Sequence, residues 1–274
     1  SDVYKRQFKF PNTVYNAAGG YLSICSGIKG YNVTVTNGAQ SGLASMAYAM
    51  SVLRSGQENA MLATGSDENS DIMTELFGKL GVTSESVVTP FEGNDGFVLS
   101  DGSASVLIED EKAARERGAR IYCHAAGYGM AHSNVKFGTL TGSEAGLTNA
   151  VNNALADAGM TIDDIDAVFG FANGMKAVDD VEIKGLTAVF GDKLAEKPVV
   201  ELKEVLGESR AAAATTAAAH AALMFAGKIP SQEAYSIAAD GSVSKTNVEA
   251  SKLNNVLVVA YGAGGSYTAI VLSK

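Results

Sequence analysis

Two stretches of small apolar residues constrain this chain more than anything else in it. Residues 211–226 are an alanine run broken by Thr215, Thr216, His220 and a Leu-Met-Phe near its end, and residues 41–50 are rich in Ala, Leu and Met. Each reads as a helix that follows a strand. A helix that is apolar nearly all round is a buried one, and small side chains let neighbours approach it from both sides. The two helices are therefore expected at the centre, in the layer order sheet, helices, sheet. A membrane span over 211–227 is the weaker reading, because a span needs about 20 strongly apolar residues and this run contains Thr215, Thr216 and His220.

The first of these helices opens with an elbow. Val33, Thr34, Val35 and Thr36 read as a β-branched strand, Asn37-Gly38 as a tight turn, and a helix then runs to about Ser55 and stops at Gly56. Free backbone N–H groups and the positive end of the helix dipole converge at such a point. A Ser or Cys placed there could act as a nucleophile. The candidates are Ala39, Gln40 and Ser41, and Ala39 cannot react. Ser41 sits in Ala-Gln-Ser-Gly, without the Gly two residues earlier that a hydrolase elbow carries, so capping or packing is its expected role.

The remaining pattern alternates strands and helices. Residues 12–27 have helical composition, 59–64 form an apolar strand followed by a loop at Gly65, Ser66 and Asp67, and 71–79 form a short helix. Residues 82–90 are a loop, 96–108 a strand, turn and strand, 109–117 a charged helix ended by Gly118, and 121–129 a strand. Helices follow over 141–159, 180–190 and 209–226, with strands over 166–171, 198–202, 255–261 and 267–272, and Thr161 is placed to cap the turn holding Asp163 and Asp164. Two βαβα runs, each ending in paired strands, imply an α/β chain of two similar halves.

With 274 residues, 46% of them hydrophobic, the chain can bury a large core. A net charge of −9 and a pI near 4.9 argue against a nucleic-acid surface and against attraction to anionic lipid. Two cysteines, Cys25 and Cys123, are too few for a disulfide framework, and a cytoplasmic location is expected. Residues 1–7 read as a non-native scar, since Asp2–Gln7 matches the in-frame translation of a transposon end used to prepare sequencing libraries; native sequence would then begin near Phe8.

Other chemistry-bearing residues receive structural readings. Cys123 and His124 are neighbours in a strand and point to opposite faces. His220 reads as a satisfied core histidine, and His132 follows a strand end. Asp67, Glu68 and Asp71 read as a helix N-terminal charge cluster rather than a cation loop, and Asp179, Asp180 and Glu182 as charges that complement a helix dipole. Gly262-Ala-Gly264-Gly265 lacks a phosphate-loop ending and reads as a tight turn. No metal ligand set and no cofactor motif is legible.

Several segments in register resemble the β-ketoacyl-ACP synthase family of the thiolase-like fold. In the first half these are Asn16-Ala-Ala-Gly19 through Gly30, the elbow, Arg54-Ser-Gly56, Met61-Leu-Ala-Thr-Gly65, Thr89-Pro-Phe-Glu-Gly-Asn-Asp-Gly-Phe97, Gly118-Ala119 and Ile121-Tyr122. In the second they are Asn173-Gly174, Glu182, Phe190-Gly191, Lys203, Gly207, the Ala-rich helix through Pro230, and Tyr261-Gly-Ala-Gly-Gly265. The resemblance implies a layered α-β-α-β-α fold with halves at 8–131 and 132–274, and with the opening strands and helices of the first half missing. It implies an acyl group carried on an elbow Cys and assisted by two histidines. Those positions hold Ala39, Asn173 and Glu208, while Lys203, Glu182 and Gly207 are retained and Gln40, Tyr261, Gly264 and Gly265 could line the pocket. Skipping one residue at the elbow would put Gln40, not Ala39, at the Cys position.

A methyl group cannot form a thioester, and a carboxylate cannot donate a hydrogen bond as a neutral imidazole does. The resemblance therefore implies a non-condensing subunit of chain-length-factor type, paired with a catalytic ketosynthase and meeting acyl carrier protein only indirectly, in fatty-acid or polyketide-type synthesis. Two alternatives remain open: an acyl-thioester enzyme of altered chemistry, a decarboxylase or acyltransferase with Glu208 as acid or base, and an inactive gene fragment.

Overall fold

A computed structural model describes residues 14–136 and 142–274. The scar expected at residues 1–7, the start of the helix expected from residue 12 and that expected from residue 141 lie outside the described residues. The chain divides into one unit ending at Thr36 and a second spanning Asn37–Lys274.

In the first unit, α1 (Ala17–Ser26) ends at Gly27, whose φ of 65° lets the chain turn back and bond Ile28 N–H to Ser23 O at 3.0 Å. Residues 33–36 were expected as a strand, and the structure corrects this: they form none. A strand needs an edge to pair with, and among the described residues none is offered to them.

The second unit begins with α2 (Ser41–Arg54), followed by β1 (Ala60–Asp67), α3 (Asp71–Lys79), β2 (Gly102–Glu109), α4 (Glu111–Glu116) and β3 (His124–His132). After these come α5 (Glu144–Ala158), β4 (Ala167–Phe169), α6 (Lys176–Phe190), β5 (Val199–Val200), α7 (Lys203–Leu206), α8 (Ala211–Phe225), β6 (Ser231–Ile237), β7 (Val243–Glu249), β8 (Asn255–Gly262) and β9 (Ser266–Ser273). β1 and β2 pair antiparallel from Ala60 opposite Glu109 to Asp67 opposite Gly102, so Gly65, Ser66 and Asp67 are strand rather than the expected loop. The other strands form one mixed sheet in the order β3-β9-β8-β4-β5-β6-β7, parallel where β4 meets β5 and β8.

The buried helices α2 and α8 lie between these two sheets. Leu43, Met46 and Met50 of α2 share one core with Ala63 of β1, Ala214, Ala217 and Ala221 of α8, and Val256, Val258 and Ala260 of β8. The alternate residues Leu257, Val259 and Tyr261 face a second core beneath α5 and α6. The period-2 reversal of a strand thus joins the two cores through one sheet. At the helix crossing a Cβ on Gly42 would stand 2.2 Å from Thr215 Oγ1 and 2.3 Å from Ala211 O. Only a glycine allows α8 to press that closely on α2.

One more expectation needs correction, and one hairpin is not legible in the sequence. The first strand of the 96–108 pair does not form, because its backbone is used elsewhere: Phe97 N–H bonds Val82 O, and Val98 O and Ser100 N–H bond the backbone of Glu208. The β6–β7 hairpin carries too little apolar alternation to be legible. Its exposed outer strand reads mostly Ser, Lys, Thr and Asn.

Candidate functional site

The elbow places Ala39 just before α2. Asn37 N–H donates to Ser41 Oγ at 2.7 Å, and Ser41 Oγ donates to Gly38 O at 2.6 Å. Ser41 is thereby committed to shaping the turn, as its reading as a structural residue requires. Ala39 lines a small cavity with Gly170, Phe171, Leu202, Lys203 and Tyr261. Gln40 is turned away: it is 1% exposed and its Oε1 accepts from Thr268 Oγ1. The two neighbours thus face differently, Ala39 lining the cavity and the Gln40 amide bonding into the sheet at Thr268. Gly264 and Gly265 do not line that cavity either. They form the β8–β9 turn, where Gly265 N–H bonds Gly262 O at 3.1 Å.

The structure brings Asn173, Lys203 and Glu208 together, although they lie on the loop after β4, at the start of α7 and just before α8. Lys203 Nζ donates to Glu208 Oε2 at 2.7 Å and to Phe171 O at 3.0 Å. Asn173 Nδ2 donates to the same Glu208 Oε2 at 3.0 Å, and Arg210 N–H to Oε1 at 2.8 Å. The Glu208 side chain is 5% exposed. Both oxygens of this buried carboxylate thus accept from named partners, two on Oε2 and one on Oε1, and such partners make burial of a charge tolerable. The cavity beside it offers about 20 Å³ to a water-sized sphere, room for about one water.

Asp179 and Glu182 correct the expectation that they only complement a helix dipole; Asp180 alone faces out, paired with Lys176 at 2.7 Å. Asp179 is 2% exposed and accepts from the backbone N–H groups of Phe91 (2.7 Å), Asn173 (3.0 Å) and Gly174 (3.2 Å). It thereby pins the Thr89–Phe97 loop, and the left-handed φ of 68° at Phe91, to the loop that carries Asn173. Burial raises its pKa despite those three bonds. Glu182, one turn further along α6, accepts from Phe171 N–H at 3.1 and 2.9 Å, and burial pushes its pKa up to about 7. Gly207 closes α7 with a φ of 73°.

Three residues important to this geometry escape a reading of the sequence alone. Glu201, only 4% exposed, abuts Glu182. A lone charge in the apolar run Pro198-Val-Val-Glu-Leu202 was its available signal. Asp179 looked like any helix-start acid. Arg210 reaches Asp67 Oδ1 at 2.6 Å and Glu68 O at 2.7 Å, so Asp67 is an ion-pair partner and not part of a helix-capping cluster.

The remaining candidates stay apart. Cys123 precedes β3, and burial raises its thiol pKa to about 11, which keeps it protonated. His124 Nδ1 lies 3.7 Å from Glu111, His132 ends β3, and His220 packs against Phe169 with its pKa lowered by burial. Cys25 is exposed in α1. Among the described residues no cluster of His, Cys, Asp or Glu is placed to hold a metal, and no helix is long and apolar enough to cross a membrane.

Comparison with known proteins adds the following. Residues 1–114 match the N-terminal domain of beta-ketoacyl synthases, and residues 122–235 match the C-terminal domain. The 3-oxoacyl-[acyl-carrier-protein] synthase 2 of Coxiella burnetii is 27% identical over 214 residues, which are 75% of this chain and 52% of that protein. The chain spans about half the length of the curated relatives it matches first. Among solved structures, the ishigamide ketosynthase/chain length factor superposes with a TM-score of 0.83 at 24% identity, covering 95% of this chain and 65% of that one. A type II polyketide-synthase ketosynthase solved with its acyl-carrier protein gives a TM-score of 0.83 at 20% identity, covering 94% and 66%. These superpositions give the layered α/β fold as thiolase-like.

Proposed function

The chain belongs to the β-ketoacyl synthase family, and within it we propose a non-condensing subunit of chain-length-factor character, the partner of an active ketosynthase in fatty-acid or polyketide-type biosynthesis. The observation that carries this reading is the Lys203–Glu208–Asn173 cluster beside Ala39. The elbow offers a methyl group where a thiol would hold the acyl chain. The two positions where histidines would serve decarboxylation hold an amide and a carboxylate that bond each other. Both Glu208 oxygens are already hydrogen-bonded within the protein, Oε2 to Lys203 and Asn173 and Oε1 to Arg210 N–H, which disfavours its use as an acid or base.

A fold retained around such a site has use as a surface. In this reading residues 8–131 and 132–274 are the two ketosynthase halves, the partner supplies the Cys-His-His chemistry, and acyl carrier protein docks on the partner. The chain's net charge of −9 agrees, since an acidic carrier would be repelled from it. The reading places the protein in the cytoplasm and requires no cofactor.

Co-expression with an intact ketosynthase encoded beside it tests this. Co-purification as a heterodimer, with a product length distribution that changes when this chain is omitted, is the expected result. Unchanged product lengths together with no co-purification would remove the reading. Turnover of malonyl thioester by the purified chain, lost in Glu208→Ala, would replace it with an enzyme of altered chemistry.

A further inference from the structure

Glu182 and Glu201 meet beside Gly170, where β4 passes into the loop carrying Phe171 and Asn173. A Cβ on Gly170 would stand 1.9 Å from Glu201 Oε1 and 2.1 Å from Glu182 Oε1, so no side chain parts the two carboxyl groups. Glu182 accepts from Phe171 N–H through both oxygens. Neither oxygen of Glu201 has a donor, and the residue is 4% exposed. An ionised Glu201 would be buried with no hydrogen bond, with the nearby Lys203 ammonium bonded to Glu208 instead, and against a second carboxylate. A protonated Glu201 can donate to Glu182 and resolve all three problems at once.

We propose that Glu182 and Glu201 hold one proton between them, carried on Glu201 and donated to Glu182, and that this shared proton braces the turn at Gly170–Phe171 beneath Lys203. Phe171 is the link: its N–H is held by Glu182 and its carbonyl accepts from Lys203 Nζ, which in turn pairs with Glu208. Loss of the proton places two like charges across Gly170 and loosens the support of the Asn173–Lys203–Glu208 cluster. The proposal is independent of the functional reading above and holds whether or not the chain has a ketosynthase partner.

The charged groups facing the pair are Asp179 from α6, Lys203 from α7, and Tyr235 from β6, whose hydroxyl bonds Glu204. The Lys203 ammonium, bonded to Glu208 and Phe171, favours ionising the pair, Asp179 opposes it, and burial outweighs the lysine. Burial first, and for Glu201 the charge of Glu182 next, raises both carboxyl groups above their ordinary value of 4.5. A folded-state pKa raised above the unfolded one adds stability that is fully present below the unfolded value. That stability is lost as pH rises through the folded value.

The test is thermal unfolding of the full chain between about pH 5.5 and about pH 9, wild type against Glu201→Gln, with an infrared spectrum of the wild type for a protonated carboxyl C=O stretch. The wild-type melting temperature is expected to fall by about 5 °C across that range beyond any fall in the variant. The Gln amide can donate to Glu182 without a proton to lose, so Glu201→Gln should melt above wild type at the alkaline end. The C=O stretch should be present at neutral pH and disappear as the alkaline transition proceeds. Equal pH slopes in the two proteins would overturn the proposal. If Glu201→Gln does not fold, the wild-type spectrum decides, and absence of a protonated carboxyl at neutral pH overturns it.

Discussion

Glu201 and Glu208 flank Lys203 in the chain, both are almost completely buried, and they solve the burial of a carboxyl group in opposite ways. Glu208 is surrounded by donors: the Lys203 ammonium, the Asn173 amide and the Arg210 N–H. Glu201 has none and rests against another acid. Where cation and donors converge, a charge can stay buried; where they do not, the group keeps its proton. The Lys203 ammonium bonds Glu208 and the Phe171 carbonyl, and no hydrogen bond from it reaches Glu201.

The sharpest way to break this contrast is Lys203→Met. Glu208 would lose its cation while remaining buried, and chemical denaturation should show a loss of about 3–5 kcal/mol. A near-neutral result would mean that Glu208 is neutral in the native protein and that the contrast is false. Asn173→Ala removes one hydrogen bond to a charged group and should cost about 1.5–3 kcal/mol by the same measurement, with Lys203 still in place.

Glu201→Gln should have a smaller effect of the opposite kind. Near pH 6 it should lie within about 1 kcal/mol of wild type, since one neutral donor replaces another. A loss as large as that of Lys203→Met would show Glu201 to be a working anion. Smallest of all, Ala39→Cys adds a sulfur beside a cavity with room for one water and should change stability by about 0.5 kcal/mol or less. It should leave the purified chain without condensing activity, measured as release of carbon dioxide from malonyl thioester. Full activity from that one substitution would mean that Asn173 and Glu208 do not matter.

The sequence made much of the fold legible because burial needs no knowledge of partners. Alanine-rich residues 211–225 had to be an interior helix, the run at 71–79 carries its own N-cap in Ser70, and the β8 and β9 segments are apolar enough to be buried on both faces. Residues 33–36 and 96–100 were misread for a common reason. Local composition there favours a strand, but a strand exists only where another edge meets it, and the backbone of 97–100 is paired with Val82 and Glu208 instead.

The site divides along the same line. The assignment of Ala39, Asn173 and Glu208 to the positions of reactive side chains is an expectation that comes from register with a family alone, without coordinates. The sequence by itself determined that this elbow has no thiol to offer. Only the tertiary structure decided that Ala39 rather than Gln40 faces the cavity, that Glu208 is closed off by three donors, and that Glu201 has none. Those outcomes depend on where α6, α7 and α8 bring residues that lie far apart in the chain. A carboxyl group's charge state is set by the donors that reach it through space, not by its neighbours in sequence.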